Sequence, residues 1–293
     1  MTELSELLDV RVNRPEAIAE AAARRHRRDS LVGPSGRMLI IAADHPARGA
    51  LRAGESALAM ADRMELLDRL RLALSRPGVD GLLATADVIE DLLLLGALDD
   101  KVVIGSMNRG GLAGTVFEID DRFTGYDAAT LSRMGFDGGK MLFRIDPADP
   151  ATAPTMQSCA QAVNGLAAAG LMAMVEPFIS HRVEGRVRND LSTDAVIRSL
   201  TVASGLGATS AYTWLKVPVT DDMERVAAAT TLPLLLLGGE VAADTDATYT
   251  SWQKALQLPT VKGLVVGRTL LYPPDDDVVA AVDTAAGMLG EAP

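Results

Sequence analysis

Eight short apolar segments recur along this chain of 293 residues, at 38 to 44, 79 to 86, 101 to 107, 138 to 145, 171 to 177, 212 to 218, 232 to 239 and 261 to 268, each separated from the next by enough sequence for a helix. Their apolarity is continuous rather than alternating. Strands covered on both faces read this way, as in a parallel sheet, and the intervening stretches rich in Ala, Leu, Asp and Arg supply the covering helices. Eight such units predict an α/β chain folded as a (β/α)8 TIM barrel. A doubly wound sheet would need a glycine-rich dinucleotide turn after its first strand. This sequence has Asp44-His45-Pro46 there.

Ahead of the first segment, an Ala/Glu-rich stretch beginning near Pro15 predicts an extra helix, and Gly33-Pro34-Ser35-Gly36 predicts a turn that closes one end of the barrel. The expected division is an N-terminal helical extension over 1–36 and a catalytic barrel over 37–293. With 48% hydrophobic and 23% charged residues and no Ser/Gly/Pro-rich linker, the chain is expected to bury one large core. Its net charge of -11 opposes nucleic acid and anionic membranes. The basic run Arg24-Arg25-His26-Arg27-Arg28 is read as a solvated helix face.

Cys159 is the single cysteine, so no intramolecular disulfide and no Cys-based metal site forms, and it reads as a packed residue of the helix before the fifth segment. The first residues lack the basic start and apolar core of a signal peptide, and runs such as Leu232 to Leu237 are too short to span a bilayer. The expectation is a soluble, cytoplasmic protein.

Interior positions of such a barrel are usually Val, Ile or Leu, so the polar residues there are the ones to explain. Lys216 stands inside Tyr212-Thr213-Trp214-Leu215-Lys216-Val217-Pro218, where a buried ammonium must be paired, shifted toward neutrality or used in chemistry. Asp44 ends the first segment, Lys140 and Arg144 lie on the fourth, and Glu176 ends the fifth. Alternate strands share a layer, which groups Lys140 with Lys216 and Asp44 with Glu176 in the next layer, pairing cations with anions. Lys140 lies early on its segment and is placed deep, with Arg144 nearer the mouth. A neighbouring ammonium lowers the pKa of Lys216 and makes it a nucleophile toward a carbonyl carbon, while a carboxylate moves the protons. The bland alternative is a buried ion network without chemistry.

Gly238-Gly239 closes the seventh segment and Gly267-Arg268 the eighth, positions where barrels commonly bind phosphate through backbone N–H groups and an arginine clamp. The structural alternative is that the glycines only make tight turns. Two connections run longer than structure alone requires, Asn108 to Tyr126 and Ser180 to Asp190. The first holds Gly110-Gly111 and Gly114 without a P-loop ending. The second carries His181, Arg182, Arg186 and Arg188, which suit an anionic substrate or simply an exposed loop.

Several stretches together resemble the class I, Schiff-base aldolase superfamily, in particular its tagatose- and fructose-bisphosphate aldolase branches, with deoxyribose-phosphate aldolase more distant. They are Ala42-Ala43-Asp44-His45, Gly135 to Phe143, Met174-Val175-Glu176-Pro177, Trp214-Leu215-Lys216-Val217 and Gly263 to Arg268, within residues 38 to 272. The resemblance implies a Schiff base on Lys216, proton handling by Glu176, supporting roles for Asp44 and Lys140, and a phosphate held by Gly238, Gly239, Gly267 and Arg268. It implies cleavage of a phosphorylated ketose or keto-sugar acid to dihydroxyacetone phosphate and an aldehyde, no cofactor, and a homo-oligomer. Similarity to aldolase-like proteins linked to inositol breakdown adds 2-deoxy-5-keto-gluconate 6-phosphate as a candidate. Arg144 stands where tyrosine is common and is a candidate substrate ligand. The rival readings are a metal-dependent lyase using His45, Glu176 and His181, and a sugar-phosphate sensor without turnover.

Overall fold

The computed structural model describes residues 3–108, 112–239, 241 and 245–290. Nine strands form among the described residues: β1 (Met38–Ala43), β2 (Gly81–Ala84), β3 (Val102–Ser106), β4 (Gly138–Ile145), β5 (Met172–Val183), β6 (Arg186–Asp190), β7 (Thr213–Val217), β8 (Leu234–Leu237) and β9 (Val261–Val266). Eight of them pair in parallel and close into a barrel: β1 bonds to both β2 and β9, and β4 bonds to β5. The eight apolar segments of the sequence are these eight strands. Each is buried on both faces because the barrel interior fills one side and helices the other.

Side chains alternate between the two environments along each strand. Met38, Ile40 and Ala42 of β1 point inward with Leu83, Ile104, Met174, Leu235 and Val265, and Trp214 joins them. The outward set, including Leu39, Ile41, Val103, Val175 and Leu215, packs under helices such as Arg63–Leu74 and Val278–Gly290. Continuing the inward alternation one step past this apolar plug brings Asp44, Lys140, Glu176 and Lys216 to the barrel mouth.

Two expectations are corrected. The N-terminal extension holds two helices, α1 (Glu3–Asn13) and α2 (Ala17–Arg24), and Arg11 of α1 pairs with Asp91 at 2.7 Å. The stretch from Ser180 to Asp190 is not a loop but a β-hairpin in which β6 runs antiparallel to β5. Its two-residue turn places Glu184 and Gly185 at φ 50° and 76°, the positive angles that match the twist of paired strands.

The reading of the basic run is corrected in part: Arg24, His26 and Arg27 are exposed as expected, but Arg25 is buried and Arg28 partly so. The run lies mostly beyond α2, at the end of the barrel where strands begin. The Arg25 side chain is 2% exposed and pairs with Asp137 at 3.7 Å. Its guanidinium also donates to the carbonyls of Lys101 (2.6 Å) and Gly135 (2.7 Å). Arg28 reaches Asp80 at 2.5 Å. These arginines clamp the extension onto the residues that lead into β2, β3 and β4. Cys159 is buried in the helix Thr152–Ala168, where burial pushes its thiol pKa up and leaves it a packing residue.

Candidate active site

A cavity of about 550 Å³ opens at the C-terminal ends of the strands. Asp44, Lys140, Glu176 and Lys216 line its floor. Lys140 Nζ lies 2.9 Å from Asp44 Oδ2 and 2.6 Å from Glu176 Oε2, and Lys216 Nζ lies 3.0 Å from Glu176 Oε1. The order is anion, cation, anion, cation, so the four predicted residues form one continuous chain. All are buried.

Their protonation follows from this geometry. Burial opposes the charge of Lys140, but Asp44 and Glu176 outweigh it and hold the ammonium well above its ordinary pKa. Burial likewise opposes the Glu176 carboxylate, and Lys140 with Lys216 overcomes that, bringing it down to about 2. Asp44 is held low chiefly by Lys140 against its own burial. Lys216 is the exception. Burial lowers its pKa, the attraction of Glu176 offsets only part of that, and Lys140 lowers it further. Desolvation is therefore the larger cause, with the neighbouring ammonium assisting.

His45 faces Asp44 at 3.8 Å, and burial pushes its imidazole pKa down to about 3 against the attraction of that carboxylate. It is a neutral group at physiological pH. His181, which the metal-based alternative would use, lies outside the cavity with Nδ1 3.7 Å from Asp146. Among the described residues, no group of three or more His, Cys, Asp or Glu is arranged to hold a metal ion.

Gly238, Gly239, Gly267 and Arg268 form the wall at the ends of β8 and β9. A Cβ at Gly267 would stand 2.2 Å from the Ala42 carbonyl oxygen, and one at Gly238 would stand 2.5 Å from Val266 Cγ1, so local packing alone demands both glycines. Arg268 crosses from β9 to donate to the Gly239 carbonyl at 3.2 Å. Gly110 and Gly111 lie outside the described residues.

Arg144 stands on the opposite wall, 3.1 Å from Glu118 Oε1, with Nε 3.4 Å from the Asn189 side-chain oxygen. Glu118, Asn189 and Arg48 are cavity residues that the sequence reading passed over. Glu118 comes from the long connection after β3, Asn189 from the β6 hairpin and Arg48 from the turn Pro46–Arg48 after β1. Their one shared signal was position beyond a strand's C-terminal end. Of the hairpin arginines, Arg188 lines the cavity, whereas Arg182 turns away to Asp149 at 2.9 Å and to the Val116 carbonyl at 2.7 Å.

Fold and site together define a (β/α)8-barrel protein with two lysines and two carboxylates in direct contact at its mouth. The chain belongs to the Cgl0159-like family, which matches residues 36–286. It is 56% identical to Cgl0159 of Corynebacterium glutamicum, whose crystal structure superposes with a TM-score of 0.95 over 98% of this chain and 96% of that one. An archaeal fructose-1,6-bisphosphate aldolase, with its catalytic Lys covalently bound to the carbinolamine intermediate of the substrate, has 17% identity and a TM-score of 0.65, covering 93% and 99% of the two chains. A fructose-bisphosphate aldolase from Slackia heliotrinireducens has 14% identity and a TM-score of 0.63, covering 87% and 85%. These last two share the fold. No curated protein matches the chain. No helix among the described residues is long and apolar enough to cross a membrane.

Proposed function

We propose that this protein is a class I aldolase that cleaves or forms a C–C bond in a phosphorylated ketose or keto-sugar acid through a Schiff base on Lys216. The observation that carries the reading is a buried lysine with a depressed pKa, at the floor of a cavity and 3.0 Å from an ionised carboxylate that a second lysine holds in place. The archaeal aldolase of the same fold carries a carbinolamine on its catalytic Lys, and by analogy Lys216 plays that part here.

The steps follow from the protonation states. Neutral Nζ attacks the ketone carbon, a C–N bond forms, and the carbonyl π pair moves to oxygen, which takes a proton. Glu176, ionised at neutral pH, accepts the proton that nitrogen sheds and returns it to the departing hydroxyl, so that water leaves and an iminium remains. Glu176, ionised again, accepts the proton of the hydroxyl two carbons from the iminium carbon, and the C–C bond between that hydroxyl-bearing carbon and the carbon next to the iminium breaks. An aldehyde departs, and the electron pair is taken up as an enamine. Protonation of the enamine carbon and addition of water release the second product and regenerate the amine. Lys140, itself held by Asp44, keeps Glu176 ionised and oriented, and Arg268 with Gly238, Gly239 and Gly267 holds the phosphate.

The test is a panel of phosphorylated ketoses assayed for triose phosphate release, with and without EDTA. The proposal expects release of dihydroxyacetone phosphate that EDTA leaves unchanged. Activity lost in EDTA would instead indicate a metal-dependent lyase, and binding without consumption would indicate a sensor.

A further inference from the structure

The cavity holds cations that the proposed chemistry does not use. Arg48, in the turn after β1, is half-buried, and its Nε is enclosed without a hydrogen-bond partner. Among the described residues, no carboxylate stands within ion-pairing distance of Arg48 or of Arg188, the exposed β6 arginine, although both line the cavity. Arg48 acts instead on the neutral His45 and on the cationic Arg144. Arg144 has Glu118 at 3.1 Å, yet burial first and then Arg48 disfavour its charge, and Glu118, Asp121 and Glu176 offset them only in part. Glu118 is itself tied to the Gly114 backbone N–H at 2.9 Å. Two like charges on a poorly solvated wall, served by a carboxylate already committed to one of them, are stabilised by an anion that enters beside them.

Topology sets this wall apart from the phosphate. β4, which carries Arg144, and β9, which leads into Arg268, stand four strands apart in the closed ring of eight, on opposite sides of the mouth. β7, which carries Lys216, lies midway round the ring between them. A sugar with its phosphate at Arg268 and its carbonyl at Lys216 therefore directs its other end toward Arg144. The charges sort the same way. Lys140 and Lys216 face Asp44 and Glu176 on the floor, and Arg144 faces Glu118. With Arg268 assigned to the phosphate, Arg48 and Arg188 remain. Arg188 adjoins Asn189, whose side-chain oxygen is 3.4 Å from Arg144 Nε, so it belongs to the same side of the cavity.

We infer that Arg48, with Arg144 beside it and Arg188 at the rim, forms a second anion subsite, so that the substrate carries an acidic group, carboxylate or phosphate, at the end remote from Arg268. This rests on the proposed reading for the phosphate at Arg268 and the carbonyl at Lys216.

Three probes without a ketone test it by calorimetric titration of the intact protein, independently of Schiff-base chemistry: hexitol 6-phosphate, hexitol 1,6-bisphosphate and an aldonic acid 6-phosphate. The wild type is expected to bind at least one of the doubly acidic probes about tenfold or more tightly than the monophosphate, and the tighter of the two identifies the second group as phosphate or carboxylate. Arg48→Gln removes the charge and should cut that preference by about tenfold while the monophosphate binds as before. Arg268→Ala should weaken all three probes and leave the preference in place, which tests the phosphate site separately. A wild type that binds the monophosphate as tightly as both other probes would overturn the second subsite and leave the aldolase reading standing. A preference unmoved in Arg48→Gln, or a monophosphate weakened there as much as the other probes, would overturn it too, the latter by assigning Arg48 to the Arg268 phosphate. Failure of all three to bind would remove both anion sites. Should Arg48→Gln not fold by circular dichroism, Arg188→Ala, at an exposed position, takes its place with the same expected direction.

Discussion

Replacing Lys140 with methionine isolates what the second lysine does for the first. The two ammonium groups contact the two oxygens of Glu176, at 2.6 and 3.0 Å. Groups so placed stand on the order of 5 Å apart, where unit charges at an effective dielectric of about 20 interact by about 3 kcal/mol. Removing that repulsion raises the Lys216 pKa by about two units. The neutral fraction at a pH below both values falls about a hundredfold, and kcat/KM falls with it. The sign sets the pH dependence. Activity that requires neutral Lys216 rises with pH up to its pKa, so in Lys140→Met the rising limb moves upward by about two units and the rate recovers in alkaline buffer. The assay is the pH profile of kcat/KM, or of the reductive trapping rate, on protein shown by circular dichroism to be folded. A slower variant with an unshifted profile would refute the argument and leave Lys140 as a structural partner of Asp44 and Glu176.

Other perturbations have separate readouts. Arg268→Ala removes a charge-assisted contact to phosphate worth about 1.5 to 3 kcal/mol, so KM should rise roughly ten- to a hundredfold in steady-state kinetics. Unchanged kinetics would move the phosphate elsewhere in the cavity, with Arg188 the next residue to test. Glu176→Gln preserves shape and removes the proton acceptor, and kcat should drop by about a hundredfold or more without loss of the fold. Full activity there would shift the proton chemistry to Asp44. Arg25→Ala leaves the Lys101 and Gly135 carbonyls without that donor and weakens the hold on Asp137, at a cost of about 2 to 4 kcal/mol read from the urea midpoint, with Lys216 chemistry intact.

The barrel and the four floor residues were legible in the sequence for the same reason. Continuous apolar runs betray strands covered on both faces, and any charge inside one, such as Lys216 or Lys140, stands out against that background. The parts that escaped lack such contrast. The β6 hairpin strand holds one apolar residue, Val187, between charged and polar neighbours on an exposed edge. The helix α1 buries only Leu7, while Leu4, Leu8 and Val12 remain exposed, so its apolar pattern does not mark a buried face. The basic run read as solvated because its partners are distant along the chain. Asp80 lies 52 residues from Arg28 and Asp137 lies 110 from Arg27, and only barrel closure brings them together. Glu118 sits in a long connection with no periodicity to mark it.

The most direct test of the account is borohydride reduction in the presence of a phosphorylated ketose that the protein consumes. The account predicts irreversible loss of activity and one covalent adduct, mapped by mass spectrometry to the peptide containing Lys216, with Lys216→Met neither labelled nor active. Labelling on Lys140 would reassign the nucleophile, and turnover that borohydride neither traps nor inactivates would contradict the Schiff-base mechanism.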